Sequence, residues 1–263
     1  MTDTLLLFFV FLFGSVVGSF LNVVILRLPE DNASIAFPPS HCPQCKTSIR
    51  WYDNIPVISY LVLRGKCRSC GQRISLQYPL VELCMGLLSM ALFQRFGPAF
   101  DFVYYFAFLA ALLVIIFIDI HHQIIPDVIS LPGIVLGFCG SFFAGNVSWT
   151  QSGLGILLGG GLLYGVALGY YLLTQREGMG GGDIKLLAMI GAFLGWQSLL
   201  SVVFISSLTG SVVGIAAMIC QGKGRHSRIP FGPFLALAAM IYLFFNQDIL
   251  LLWQRYLGAV SGS

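Results

Sequence analysis

The chain has 263 residues, of which 57% are hydrophobic and only 10% charged, with a net charge of +3 and a mean hydropathy of +0.86. An average soluble domain carries about 25% charged residues, so a chain this apolar cannot cover a globular surface with polar groups. No basic stripe with interleaved aromatics occurs outside one short loop, so the charge pattern points to no nucleic-acid partner.

A helix that spans a bilayer needs about 20 mostly apolar residues, and residues 4–26 supply the first. This run is too long for the core of a cleaved signal, lacks a basic flank before it and shows no small-residue cleavage site, which predicts a retained helix. Residues 27–78 break the pattern. They hold five of the 11 prolines, two cysteine pairs and seven cations: Arg27, Lys46, Arg50, Arg64, Lys66, Arg68 and Arg73. A segment this small is not stable on an apolar core alone and needs a staple.

Seven further apolar runs follow, at 78–94, 102–120, 128–144, 153–174, 184–196, 198–220 and 231–253. With the first they predict an all-α polytopic membrane protein of about eight transmembrane helices. Its organisation reads as a first helix (1–26), a cytoplasmic loop domain (27–78) and a membrane core (79–263). The run 184–196 is short, either a tilted half-span or one arm of a helical hairpin with the next run.

Eight spans alternate sides, and the cations choose between the two orientations. If 27–78 is cytoplasmic, that side also holds Arg176, Lys185, Lys223, Arg225 and Arg228, leaving only Arg95 and Arg255 opposite. The split is 12 to 2 among the 14 Lys and Arg residues. Positive residues accumulate in cytoplasmic loops, so the asymmetry predicts a multi-pass protein of the cytoplasmic membrane with both termini outside the cytoplasm.

The run 153–174 is dense in glycine, and Gly161, Gly165 and Gly169 form a small-x3-small face that lets helices approach closely. A nucleotide-binding loop would need a strand context that is absent. Cys84, Cys139 and Cys220 sit in apolar runs and read as small buried hydrophobes.

The other four cysteines form two C-x2-C pairs, Cys42/Cys45 and Cys67/Cys70, separated by 21 residues. Two such turns complete a tetrahedral four-thiolate site with no open position, which is structural in kind and would supply the missing staple. The rival reading is two disulfides, which a reducing cytoplasm disfavours. His41 adjoins one ligand and reads as a bystander.

Acids in or beside membrane spans are costly and are functional suspects. Asp119 ends the run Leu112 to Ile118. Asp127 follows Pro126 and opens a new span, where capping the helix is as good a reading as chemistry. Asp183 sits in Gly178-Met179-Gly180-Gly181-Gly182-Asp183-Ile184-Lys185. Gly180, Gly181 and Gly182 remove side-chain bulk and permit positive φ, so a substrate backbone can come close to the acid; a flexible turn with a capping Asp fits equally well.

Two carboxylates at one membrane depth cannot both ionise when close, so the pair shares a proton. The ionised member takes a proton from water, and the protonated member donates to the carbonyl oxygen and then to the leaving amine. Asp119 and Asp183 are therefore the candidate catalytic pair, with Gly180, Gly181, Gly182, Lys185 and Asp127 as supports. His121 and His122 adjoin Asp119, either as interfacial polar groups or as modifiers of the pair. No G-x-S-x-G elbow and no H-E-x-x-H occurs, which leaves serine and zinc hydrolysis without their motifs.

In this order the residues resemble a known family. The segments are Phe13-Gly14-Ser15, Gly18-Ser19-Phe20-Leu21-Asn22-Val23-Val24-Ile25, Arg27-Leu28-Pro29, the two cysteine pairs, Asn54-Ile55-Pro56, Leu63-Arg64-Gly65-Lys66-Cys67, Ile74-Ser75, Tyr78-Pro79-Leu80-Val81-Glu82-Leu83, Asp119 to Asp127 and Gly180 to Asp183. Over nearly its whole length the chain resembles the type IV prepilin peptidases. The resemblance implies a G-x-G-D aspartic protease whose catalytic aspartates fall on Asp119 and Asp183. It implies prepilin or pseudopilin substrates, cut on the cytoplasmic side of the bacterial inner membrane, typically between Gly and Phe. It also implies N-methylation of the new terminus with S-adenosylmethionine as donor, and zinc on Cys42, Cys45, Cys67 and Cys70. Family members often carry a further acid where this chain has His121. No strand-bordered glycine fingerprint for the methyl donor occurs, so that activity stands on the resemblance alone. Glu82 and the basic residues of 27–78 are candidate contributors to it.

Three rivals remain at this stage. A proton- or cation-coupled transporter accounts for the acids but not for the cysteines. A zinc-loop scaffold accounts for the cysteines but leaves Asp183 idle. A G-x-G-D protease with other membrane substrates accounts for both.

Overall fold

The computed structural model describes residues 2–30, 34, 37, 39–175, 180–221 and 230–261. Arg176, Gly178, Met179, Lys223, Arg225 and Arg228 lie outside the described residues. The described residues form nine helices and one 3-10 turn: α1 Thr2–Arg27, the turn Trp51–Asn54, α2 Ile58–Val62, α3 Gln77–Phe96, α4 Phe100–His122, α5 Asp127–Gly140, α6 Trp149–Thr174, α7 Gly181–Leu194, α8 Gln197–Gln221 and α9 Gly232–Ser261. Each of the eight apolar runs is one of these helices.

Among the described residues, six helices are long and apolar enough to cross a membrane: α1, α3, α4, α6, α8 and the first part of α9. In α5 and α7, 14 residues each, a rise of about 1.5 Å per residue gives only about 21 Å. Large apolar side chains such as Phe8, Phe9, Phe13 and Phe20 on α1, and Leu157, Leu172 and Leu173 on α6, point outward. In water such a surface would be untenable; in a bilayer it is the solvated one. The same inversion corrects the reading of two cysteines: Cys139 is exposed and Cys84 only half-buried.

Contacts divide the chain into 1–118 and 119–263. In the first unit α1 packs on α3. Bare backbone makes the approach close: a Cβ on Gly18 would stand 2.8 Å from Glu82 Cα, and one on Gly86 2.5 Å from Ser15 Oγ. Asn22 donates to the Tyr78 carbonyl at 3.1 Å and Ser89 to the Val10 carbonyl at 3.1 Å. Aromatic pairs Phe13–Phe106, Phe93–Phe102 and Phe96–Tyr105 seat the first part of α4 against these helices.

In the second unit α7 is central, touching α5, α6, α8 and α9. Every residue from Leu186 to Leu194 is buried, the pattern of a helix walled in on all sides. α6 starts with a reciprocal cap: Ser148 Oγ accepts from the Gln151 N–H at 3.3 Å, and Gln151 Oε1 accepts from the Ser148 N–H at 3.0 Å.

The glycine face of α6 is not the expected one. A Cβ on Gly155 would stand 2.1 Å from the Gly191 carbonyl oxygen, and one on Gly159 2.6 Å from the Leu187 carbonyl oxygen. Gly161, Gly165 and Gly169 have nothing among the described residues within 4 Å of such an atom. The close crossing with α7 therefore belongs to the first half of α6.

Candidate active site

Asp119 lies in the last turn of α4, and only 5% of its surface is exposed. Its carboxylate accepts the backbone N–H of Gly232, the first residue of α9. Gly232 has to be bare, since a Cβ there would sit 2.5 Å from Asp119 Oδ2 and 3.1 Å from Ile125 Cδ1. Asp183 lies in the first turn of α7 and is half-buried. It is close enough to Asp119 for the two charges to act on each other. Each acid thus meets a helix N-terminus, where backbone N–H groups without intrahelical partners favour negative charge.

The segment between α4 and α5 joins the two halves of this site. α4 ends with Gln123 in the left-handed region (φ 56), its N–H on the Asp119 carbonyl at 2.9 Å. The chain then leaves regular structure until Pro126, which is extended (φ −66, ψ 127). Ile125 packs against the bare faces of both Gly182 and Gly232; a Cβ on Gly182 would be 2.9 Å from Ile125 Cβ.

Gly180, Gly181 and Gly182 do not use positive φ. Gly180 is extended (φ −69, ψ 138), and Gly181 and Gly182 begin α7. What they contribute is bare backbone: Gly182 for Ile125, and Gly181 with nothing among the described residues within 4 Å of a would-be Cβ. The flexible-turn reading of Gly181 and Gly182 is thereby corrected to a helix start.

Asp127 is also corrected. Pro126 holds the N-cap position and Asp127 is the first residue of α5. Both of its carboxylate oxygens take the Lys185 ammonium at 2.7 Å. This pair is solvent-accessible, with side-chain exposures of 38% for Lys185 and 54% for Asp127. Its role is to tie the start of α5 to the first turn of α7, two residues from Asp183. His121 and His122 are exposed in the last turn of α4. Sequence reasoning missed Gly232 and Ile125; the only local signal was the pair of prolines around Phe231-Gly232.

The first unit holds the four cysteines as a cluster whose sulfurs all lie within 4.8 Å of one another. Cys42–Cys70 is 3.9 Å and Cys45–Cys67 is 4.0 Å, sulfur to sulfur. Disulfides need about 2.05 Å, whereas a tetrahedron with metal–sulfur bonds of about 2.3 Å has edges of about 3.8 Å. The distances fit a metal ion and not disulfides.

Two matching turns build the cluster. The Cys42 N–H meets the Thr47 carbonyl and the Lys46 N–H the Cys42 carbonyl; the Cys67 N–H meets the Gln72 carbonyl and the Gly71 N–H the Cys67 carbonyl, all at 2.8–3.0 Å. Lys46 and Gly71 take the same left-handed position, φ 58 and 71. Hydrogen bonds from Thr47 pull the Cys45 thiol down to about 6. The Gln72 N–H favours the Cys70 thiolate, but desolvation and the three neighbouring sulfurs outweigh it and push that thiol up to about 11. Four thiolates cannot coexist here without a cation among them.

Fold and site define a multi-pass helical membrane protein with a pair of neighbouring acids and a four-cysteine loop whose geometry can hold a metal ion. Two family models match it: the bacterial peptidase A24 N-terminal domain over residues 12–96, and the type IV leader peptidase family over residues 106–215. Three similar proteins are named prepilin leader peptidase/N-methyltransferase. They come from Pseudomonas putida (37% identical, over 90% of this chain and 89% of the relative), Aeromonas hydrophila (38%, 91% and 91%) and Pseudomonas aeruginosa (37%, 94% and 93%). The chain belongs to the type IV leader peptidase family. No solved structure matches it.

Proposed function

We propose that the chain removes the leader peptide from type IV prepilins or type II secretion pseudopilins, with Asp119 and Asp183 as the acid–base pair, and then methylates the new N-terminal amine. The observation that carries the cleavage reading is the meeting of these two acids at the bare-backbone starts of α7 and α9. The ionised carboxylate takes a proton from the attacking water; the protonated one supports the carbonyl oxygen and then protonates the leaving amine. The open backbone at Gly181 gives an extended substrate room beside Asp183. The names of the relatives and the matching family model support the same activity over a transporter or a scaffold.

The methyltransferase reading rests on the relatives' printed name, with S-adenosylmethionine as methyl donor. Zinc suits Cys42, Cys45, Cys67 and Cys70, where it would supply a closed structural cross-link. The cation asymmetry supports a cytoplasmic position for the loop and the acids at the inner membrane.

The test is cleavage of a prepilin-like peptide by detergent-purified protein, comparing wild type with Asp119→Asn and Asp183→Asn. Each substitution is nearly isosteric and removes the proton exchange, so both should lose about 10²–10⁴-fold in rate while staying folded. Normal cutting by either variant removes that residue from the pair. Transfer of labelled methyl to the product amine tests the second activity separately.

A further inference from the structure

The four-cysteine loop carries an apolar edge that neither the metal site nor the acid pair uses. It is built from the 3-10 turn Trp51–Asn54 and α2, which pack on each other. Trp51 is 81% exposed, Leu61 68% and Val62 70%, with Ile58 also exposed. A loop that merely sat in water would be expected to turn such side chains inward.

The edge is held in place at a cost in backbone strain. Val57 has φ 62 and ψ −48, and the Ile58 N–H meets the Pro56 carbonyl at 2.6 Å, a tight γ-turn centred on a β-branched residue. The buried Glu82 of α3 accepts the Val57 N–H at 2.8 Å. The turn that starts α2 is therefore fixed to a membrane helix. The loop also begins at the end of α1 and ends at the start of α3, both of them candidate spans, so it cannot leave the neighbourhood of the bilayer.

Charge identifies the partner. Residues 39–76 contain six cations, Lys46, Arg50, Arg64, Lys66, Arg68 and Arg73, against one acid, Asp53. Arg68 already engages Asp53 through three contacts of 2.6–3.0 Å. Arg50, beside Trp51, and Arg64, two residues after Val62, are exposed. An apolar edge with a tryptophan and a cationic rim matches the boundary layer of an anionic bilayer; a cationic peptide would be repelled from it.

We propose that this edge docks on the surface of the membrane, with Trp51, Ile58, Leu61 and Val62 in the headgroup–acyl boundary and Arg50 and Arg64 against the phosphates of anionic lipids. The metal-bearing loop is then an interfacial element rather than a freely solvated one. The inference rests on the first unit alone and stands apart from the assignment of the acids.

The test uses the full-length protein in nanodiscs of phosphatidylcholine with phosphatidylglycerol, with or without brominated acyl chains. Trp149, Trp196 and Trp253 also emit, so the Trp51 signal is obtained by subtracting a Trp51→Phe variant. The expected result is a loss of Trp51 emission of about twofold or more in brominated anionic discs. An Arg50→Gln/Arg64→Gln variant with unchanged metal content, or about 0.5 M salt, should reverse most of it. Trp51 emission that ignores bromination overturns the proposal. So does quenching that is equal in purely zwitterionic discs and in the double variant. Quenching that appears only after a substrate peptide is added overturns it too, and makes the edge a protein-docking surface.

Discussion

Gly232 donates its backbone N–H to the carboxylate of Asp119, and a Cβ on Gly232 would stand 2.5 Å from Asp119 Oδ2. The smallest possible side chain must therefore push the acid aside. A displacement of about 1 Å in a reacting group can cost about 10²-fold in rate. Gly232→Ala should lower kcat by about that factor with little change in KM. Gly210→Ala, where the new atom would meet Phe234 at an ordinary 3.5 Å, is the control. Steady-state cleavage kinetics with thermal unfolding of both variants measure this; wild-type kcat in Gly232→Ala would remove the contact from the mechanism.

Purified protein should carry about one thiophilic metal per chain by elemental analysis, and Cys42→Ser should lose it. Without metal the loop should become protease-sensitive between Ser40 and Gln77, while the membrane helices persist. Thiolates are the binding form, so bound metal is retained at neutral pH and released as pH falls and protons compete for sulfur. A metal-release titration with a chromogenic chelator measures this. Stoichiometric metal in Cys42→Ser would contradict the four-thiolate assignment.

The Asp127–Lys185 pair is accessible to solvent, and exposed pairs contribute about 0.2–1 kcal/mol. Asp127→Asn should therefore leave cleavage within about threefold of wild type, far from the loss expected of Asp119→Asn. A double-mutant cycle on Asp127 and Lys185 should return a coupling in the same small range. A collapse of activity in Asp127→Asn would place this acid in the chemistry.

Much of the architecture was legible because the solvent writes it into the sequence. Runs of about 20 apolar residues can only be spans, and an acid that ends such a run, as Asp119 does, stands out. The cysteine spacing was equally direct. Its internal repetition was not read there, although Cys42 to Cys67, Cys45 to Cys70 and Ile49 to Ile74 share one offset, and it emerges from the two matching turns. Gly232 and Ile125 were not legible, because their importance comes from long-range approach and neither residue type is unusual where it stands. The glycines of α6 failed for a related reason. Which face of a helix meets a neighbour depends on its rotation, and an apolar run in lipid has no polar side to reveal that rotation.

The α6–α7 crossing gives a stability test. Gly155→Ala and Gly191→Ala each drive a new atom to 2.1–2.2 Å from a backbone oxygen. Overpacking of this kind costs about 1–3 kcal/mol and sometimes more. Gly161→Ala and Gly165→Ala fill open space and replace glycine in a helix, so they should be neutral or stabilise by up to about 1 kcal/mol. Thermal unfolding in one detergent ranks all four; equal melting temperatures would refute the crossing.

The enclosure of α7 has a mechanical consequence. From Leu186 to Leu194 the helix is covered by protein on every side, so no lipid tail presses on it directly. Changes in bilayer thickness tilt or squeeze the outward-facing helices around it, such as α6. They reach Asp183 only as whatever strain those neighbours pass inward. The acid is carried on a shielded strut, and its turnover should track the integrity of that packing more closely than the identity of the surrounding lipid.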